Sequence, residues 1–467
     1  MCFIFKKKEK KKLVFLVGAG GSSPFIPNLT TEKLTNALLD PCRWKNIIEK
    51  FKEEKKEKGN NSEININDCD ITNVLCKIKK ILEKNSFYKD KINFEYLIHL
   101  LDKVSLYYKA HNDYEIANID TTLVSFFQKH ENPYNYYTST NPNGWEYVPF
   151  LARELIIEYI LDSWNKIEEE RKEEIKDINR EFYSKLLEKH FESINIYSLN
   201  YDPLLYESLS LKENKRFETG FEDNNENEFD KQKFFQSQNV LAFFHGHVGF
   251  VPGEDLNSPM KFYHKNYKDA QKKRFEYCFP IASSPSNPCV GIGAKGMHFN
   301  RYLITGLDKI DAFSENPFAG YIHRISKDIS EANSIVLIGT SLNDYHLNSF
   351  LVNSLVISKN AEIVFVTTKN SIKEFISSTL ESANESLIAR IWDITRDEMI
   401  EMVKRREELR KLIQKLENRV EEAENSIINF SKHIKIFGGG TEKFYSVYLD
   451  YLKNNKWKII TKIQKTP

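Results

Sequence analysis

Four short stretches of this chain combine glycine with polar side chains of the kinds that bind or catalyse: Gly18-Ala19-Gly20-Gly21-Ser22, Asn200-Tyr201-Asp202, His245-Gly246-His247 and Gly339-Thr340-Ser341-Leu342-Asn343-Asp344. The first follows a short apolar run and has the pattern of a buried strand that turns into a phosphate-cradling loop. It is neither of the two standard loops. No Gly-Lys-Ser/Thr follows, as a nucleoside-triphosphatase loop requires, and Ser23 stands where a dinucleotide fingerprint places its third glycine.

Each stretch closes an apolar run: Leu13–Val17, Ile194–Leu199, Leu241–Phe244 and Ile335–Ile338, with further runs at Tyr302–Thr305 and Ile363–Val366. Several are too continuously apolar for a half-exposed antiparallel strand, and helical pattern separates many of them. A parallel sheet covered on both faces, a doubly wound α/β core, is the economical expectation. Ligands of such sheets bind beyond the carboxyl ends of the strands. The four stretches then deliver glycines and polar groups to one edge, and that coincidence is the functional signal.

About 175 residues separate the first two runs, whereas a crossover needs only about a dozen. The intervening sequence reads as helical: "WKNIIEKFKEEKKEK", "NVLCKIKKILEK", "FEYLIHLLDKVSLYY" and "VPFLARELIIEYILDSWNKI" space apolar residues three and four apart. The expected organisation is a core of residues 12–39 and 192–389, a large helical insertion after the first strand at 40–191, and a helical C-terminal region at 390–467. In that last region Met402, Leu409, Leu416 and Ala423 recur every seven residues beside Ile413, Val420 and Ile427. The stripe suits either packing on the chain's own domain or a seam between subunits. Gly438-Gly439-Gly440, between "IKIF" and "TEKFYSVYLDYL", reads as a hinge between strand and helix or as a second phosphate loop.

Composition excludes more than it suggests. Lys plus Arg (67) nearly cancels Asp plus Glu (66), so no global field draws the chain to nucleic acid or to an anionic membrane. No stretch approaches the ~20 apolar residues of a membrane span, and "MCFIFKKKEKKK" puts its charges after its apolar tip, the reverse of a secretion signal. A cytoplasmic location is expected. The six cysteines, Cys2, Cys42, Cys69, Cys76, Cys278 and Cys289, form no Cys-x-x-Cys pair, which argues against a zinc knot and a disulfide framework.

Taken in chain order, these landmarks resemble the sirtuins, and more closely the sirtuin-like domains of bacterial defence proteins. The matching residues are Gly-Ala-Gly-x-Ser at 18–22 with Ile26-Pro27, the Asn-x-Asp of "SLNYDPLLYE", the His-Gly of "FFHGHVG" and the Gly-Thr-Ser of "LIGTSLNDYHLNSFL". The resemblance covers roughly residues 12–35 and 192–370. It implies that Gly18, Ala19, Gly20 and Ser22, with Pro27 on the same side, wrap the pyrophosphate of NAD. It also implies that Asn200 orients the nicotinamide ribose or the attacking water, that Asp202 lies near the carboxamide, and that His245 is the general base. Gly339, Thr340 and Ser341 would hold the adenosine ribose and phosphates, with Asp344 a further ribose ligand. His247 stays open as an alternative base, and His346 and Asn348 as further site groups.

The departures from the family point away from deacylation. Sirtuin deacylases carry a four-cysteine zinc module between the Asn-x-Asp and Gly-x-Ser landmarks, where this chain has only Cys278 and Cys289. Leu199 replaces the family's Gln, and Asn28-Leu29 replaces its Phe-Arg. The expectation is therefore an NAD glycohydrolase without zinc, acting as an abortive-infection effector in anti-phage defence. It would be a homo-oligomer answering to a partner ATPase, an Argonaute-like protein or a phage-derived trigger. The rival expectations are a sirtuin-like module that senses a nucleotide without turnover and, behind it, an NAD-dependent deacylase.

Overall fold

A computed structural model describes residues 11–26, 28–57, 68–83, 92–102, 147–210, 217–221, 227–252, 260–264, 266–277, 302–305, 316–340, 361–367, 426–429 and 434–463. Its main sheet has seven strands: β1 (Lys12–Val17), β2 (Ser193–Ser198), β4 (Val240–Phe243), β7 (Ser334–Ile338), β8 (Glu362–Val366), β9 (Ile428–Asn429) and β10 (Ile434–Phe437). Their spatial order is β4-β2-β1-β7-β8-β10-β9. Five successive ladders from β4 to β10 are parallel, and only β9 pairs antiparallel, at the β10 edge. Renumbered along the chain, the parallel strands run 3-2-1-4-5-6, the order of a doubly wound, Rossmann-like sheet. Its switch point, where successive strands begin to be laid on the other side, falls between β1 and β7.

The apolar runs form strands here because they are buried on both faces. Leu13, Val14, Phe15 and Leu16 have no exposed surface, and β2, β4 and β7 are buried throughout. A second, three-stranded sheet joins β3 (Asn227–Glu228), β6 (Lys261–Phe262) and β5 (Phe250–Val251).

Between β1 and β2 the described residues are mostly helical, as the three-and-four spacing predicts. They form α1 (Ala19–Ser22), α2 (Thr31–Leu38), α3 (Pro41–Glu57), α4 (Asp68–Glu83), a helical stretch over 94–102, α5 (Val148–Asn165) and α6 (Glu169–Lys189). The charged run becomes α6, whose solvent side is laced with i,i+3 ion pairs such as Arg171–Glu174 and Arg180–Asp177. Its other side carries Phe182 and Tyr183, which pack edge-on against Phe15 of β1 at centroid distances of 6.1 and 5.2 Å. That makes α6 the crossover helix leading into β2. The remaining helices among the described residues are α7 (Leu204–Leu209), α8 (Lys231–Gln236), α9 (Tyr267–Glu276), α10 (Phe318–Glu331) and α11 (Gly440–Ile463).

Two elements differ from the sequence reading. The Tyr302–Thr305 run does not enter the sheet; Leu303 makes an antiparallel bridge with Gly246, and the Ile304 N–H donates to the His245 carbonyl (2.8 Å). Its residues are apolar because they are buried over the end of β4. After residue 390, the described part is not helical throughout. β9 and β10 join the main sheet, and β10 lies beside β8 as the last parallel strand. Of the seven-residue stripe, only Ile427 lies within the described residues, where it packs against the main core.

Candidate functional site at the carboxyl edge of the sheet

The phosphate-loop candidate leaves β1 at the switch point and is stitched at once to the end of β7. Gly18 N–H donates to the Ile338 carbonyl (2.8 Å) and Gly20 N–H to the Gly339 carbonyl (3.0 Å). This approach explains the glycines locally. A Cβ at Gly20 would lie 2.7 Å from the Gly339 Cα, and one at Gly339 would lie 2.3 Å from the Gly20 Cα. Gly339 also has φ +57, in the left-handed region. The two motifs that sequence placed at separate strand ends therefore touch, and each is glycine because the other is there.

On the other side of β1, Asn200 ties the loop to β2. Its Nδ2 donates to the Gly18 carbonyl (2.9 Å) and to Ser22 Oγ (2.8 Å). Ser22 also hydrogen-bonds to the Asp202 carboxylate, so one hydroxyl joins the two polar members of the Asn-x-Asp motif. With both amide hydrogens engaged, Asn200 has its Oδ1 acceptor left for a ligand. Burial pushes the Asp202 carboxyl up to about 6 from an ordinary 3.8; hydrogen bonds from Ser22 and from the Leu204 N–H (3.1 Å) oppose that shift.

The end of β4 joins next. The Val248 N–H donates to the Tyr201 carbonyl (3.0 Å), and the Tyr201 and His245 rings lie 6.4 Å apart. Gly246, at φ +100, turns the chain sharply between the two histidines. The simple alternation that would aim both the same way therefore does not hold. His247 is fully buried among Tyr206, Phe243 and Phe262, and its Nδ1 accepts from the Gly249 N–H (3.0 Å). Burial, aided by the neighbouring His264 and Arg274, drives its pKa down to about 3. An imidazole so poorly basic cannot serve as a base near neutral pH. His245 is 5% exposed and stands at the strand end itself.

Helices between β1 and β2 reach this corner twice. Tyr201 Oη lies 2.9 Å from Glu95 Oε1 and 3.1 Å from the Ile304 carbonyl, bringing a carboxylate from the 94–102 helix onto the hydroxyl of Tyr201. The loop after His247 is braced by Arg274 of α9, which donates to the Val248 and Phe250 carbonyls (2.9 and 3.0 Å) and pairs with Glu154 of α5. Neither member of that pair has exposed side-chain surface.

The described fold thus gathers Gly18, Ala19, Gly20, Ser22, Asn200, Asp202, His245, Gly339 and Thr340 at one sheet edge. Pro27, Ser341, Asp344, His346, Asn348, Cys278 and Cys289 lie outside the described residues. Sequence reasoning did not find Glu95, whose only signal is its place in an amphipathic helix. It also did not find Thr441, which donates to the Gly20 carbonyl (2.8 Å). Among the described residues no group of three or more His, Cys, Asp or Glu side chains could hold a metal ion. None of their helices is long and apolar enough to cross a membrane. No protein-family model matches the chain, nor does any curated protein.

Proposed function

We propose that this chain is a sirtuin-like NAD glycohydrolase, cleaving NAD with water to nicotinamide and ADP-ribose. The observation that carries the reading is the meeting of four landmarks, far apart in sequence, at the switch-point edge of a 3-2-1-4-5-6 sheet, with Asn200 hydrogen-bonded into the glycine loop. In this reading the Gly18–Ser22 loop and the Gly339-Thr340-Ser341 turn receive the diphosphate and adenosine ribose. Asn200 Oδ1 orients the nicotinamide ribose or the water. Cleavage of the bond between the ribose and nicotinamide passes through an oxocarbenium-like state. His245 takes the proton of the attacking water as the new C–O bond forms and nicotinamide departs.

A second reading, binding without turnover, has its own supporting observation. The amides of Gly18 and Gly20 are already donated to β7, so the glycines answer to packing whether or not chemistry follows. Incubating the purified full chain with NAD and separating the products decides between them. Release of nicotinamide and ADP-ribose that His245→Ala abolishes supports hydrolysis. Saturable NAD binding with no product supports the sensor. A role in anti-phage defence, and a partner or phage-derived trigger, belong to the same proposal; NAD depletion in cells upon infection is the measurement that would support them.

A further inference from the structure

The turn between β10 and α11 closes a circuit of hydrogen bonds across the sheet edge. Gly20 N–H donates to the Gly339 carbonyl (3.0 Å), Gly339 N–H to Val366 (2.9 Å), Thr367 N–H to Phe437 (3.0 Å) and Gly440 N–H to Thr367 (3.3 Å). Thr441 Oγ1 then returns to the start, donating to the Gly20 carbonyl at 2.8 Å. A hydroxyl in the first turn of a helix ordinarily serves its own backbone. This one is spent on a carbonyl 421 residues earlier in the chain, and Thr441 is only 2% exposed.

The helix behind it is firmly seated. The Tyr445 ring stacks on Phe182 of α6 at 4.0 Å and 11°, and its hydroxyl donates to Asn179 Oδ1 (2.9 Å). The Gly20–Gly21 peptide, in contrast, is flanked by residues without side chains, and within the loop it is anchored at its N–H, which donates to the Gly18 carbonyl (2.7 Å). Its carbonyl is held from outside the loop, by the Thr441 hydroxyl.

We propose that Thr441 is a positioning residue for the nucleotide loop, holding the Gly20 carbonyl and through it the Gly18–Ser22 turn in the conformation that receives the diphosphate of NAD. The proposal rests on the NAD reading for its ligand, and on geometry alone for the loop. Asn200 and His245 stand on the other side of β1, so Thr441 acts on binding and not on the chemical step.

The test compares the full-length wild type with Thr441→Val, Thr441→Ala and Thr441→Ser. Calorimetric titration with NAD, steady-state kinetics and hydrogen exchange of the peptide spanning residues 18–23 are the readouts. Loss of one hydrogen bond should weaken NAD binding roughly three- to tenfold in the Val and Ala chains. KM should rise in step while kcat is unchanged, and exchange of the loop should quicken in the free protein. The Ser variant keeps the hydroxyl and should behave as wild type. The Ala variant adds no bulk and carries the test if the Val chain does not fold. Wild-type affinity and exchange in the Val and Ala chains would overturn the proposal, as would a Ser variant as impaired as Val. A wild-type chain that fails to bind NAD overturns the functional reading instead. Loop exchange in the free variants then still decides the positioning role.

Discussion

Asn200 does two things at once, and the two can be separated. Its amide closes the Gly18–Ser22 loop, while its oxygen is left for a ligand. Asn200→Ala is therefore expected to cost about 1–2 kcal/mol of stability from two buried hydrogen bonds, as well as activity. His245→Ala should lower turnover roughly 10²–10⁴-fold with little change in melting temperature, since loss of a positioned base falls in that range. Equal turnover by the His245 variant and wild type would remove the histidine from the mechanism. Asp202 gives a prediction about pH. Its folded pKa of about 6 lies above the ordinary 3.8, so the native state holds the extra proton between those values. The ionised carboxylate then costs about 3 kcal/mol above pH 6, and that cost fades as pH falls toward 4. His247 runs the opposite way: its folded pKa of about 3 lies below the usual 6.5, so acid below pH 6.5 favours the unfolded chain. The difference between wild type and Asp202→Asn isolates the first effect. The Asn chain should be more stable at pH 8, and its advantage should vanish near pH 4. Thermal unfolding at the two pH values checks this, and a constant difference would show that Asp202 is not held in the costly ionised state.

At the scale of elements, the buried Arg274–Glu154 pair links α5 and α9 to the loop that follows His247. Arg274 has no exposed side-chain surface, so removing its partner strands a charge in the core. Glu154→Gln is expected to cost about 3–5 kcal/mol, read as a lower urea midpoint, and to reduce NAD turnover by loosening the strand end that carries His245. A variant of wild-type stability would mean that water reaches the guanidinium. What sequence revealed of the site follows the same division. Gly18, Asn200, His245 and Gly339 were legible because each sits where an apolar strand stops, a signal carried by neighbouring residues. Glu95, Arg274 and Thr441 were not, since each acts on a carbonyl or hydroxyl distant in sequence, and nothing beside it in the chain marks the contact. The Tyr302–Thr305 run shows the converse limit. Burial makes a segment apolar whether it pairs within a sheet or covers the end of one, so periodicity alone cannot tell the two apart.

For the molecule as a whole, an enzyme of the proposed activity would drain its host of NAD unless something restrained it. The seven-residue stripe of Met402, Leu409, Leu416 and Ala423, with Ile413 and Val420 beside it, is the sequence pattern best suited to that task. A strict period of seven keeps one seam facing a partner helix, whereas packing on a globular core tolerates the looser 3.6-residue period. Ile427 already packs on the chain's own core, so the question concerns the residues before it. We predict that the purified chain is an oligomer of low NADase activity. Leu409→Glu combined with Leu416→Glu should dissociate it while leaving melting temperature and NAD affinity unchanged, as light scattering coupled to size exclusion would show. If the stripe instead packs within one chain, oligomeric state will not respond and stability will fall by several kcal/mol, the cost of two charges forced into a core. Turnover in the dissociated variant then identifies the sense of control. A rise would mean that assembly restrains the site, and a loss would mean that assembly completes it.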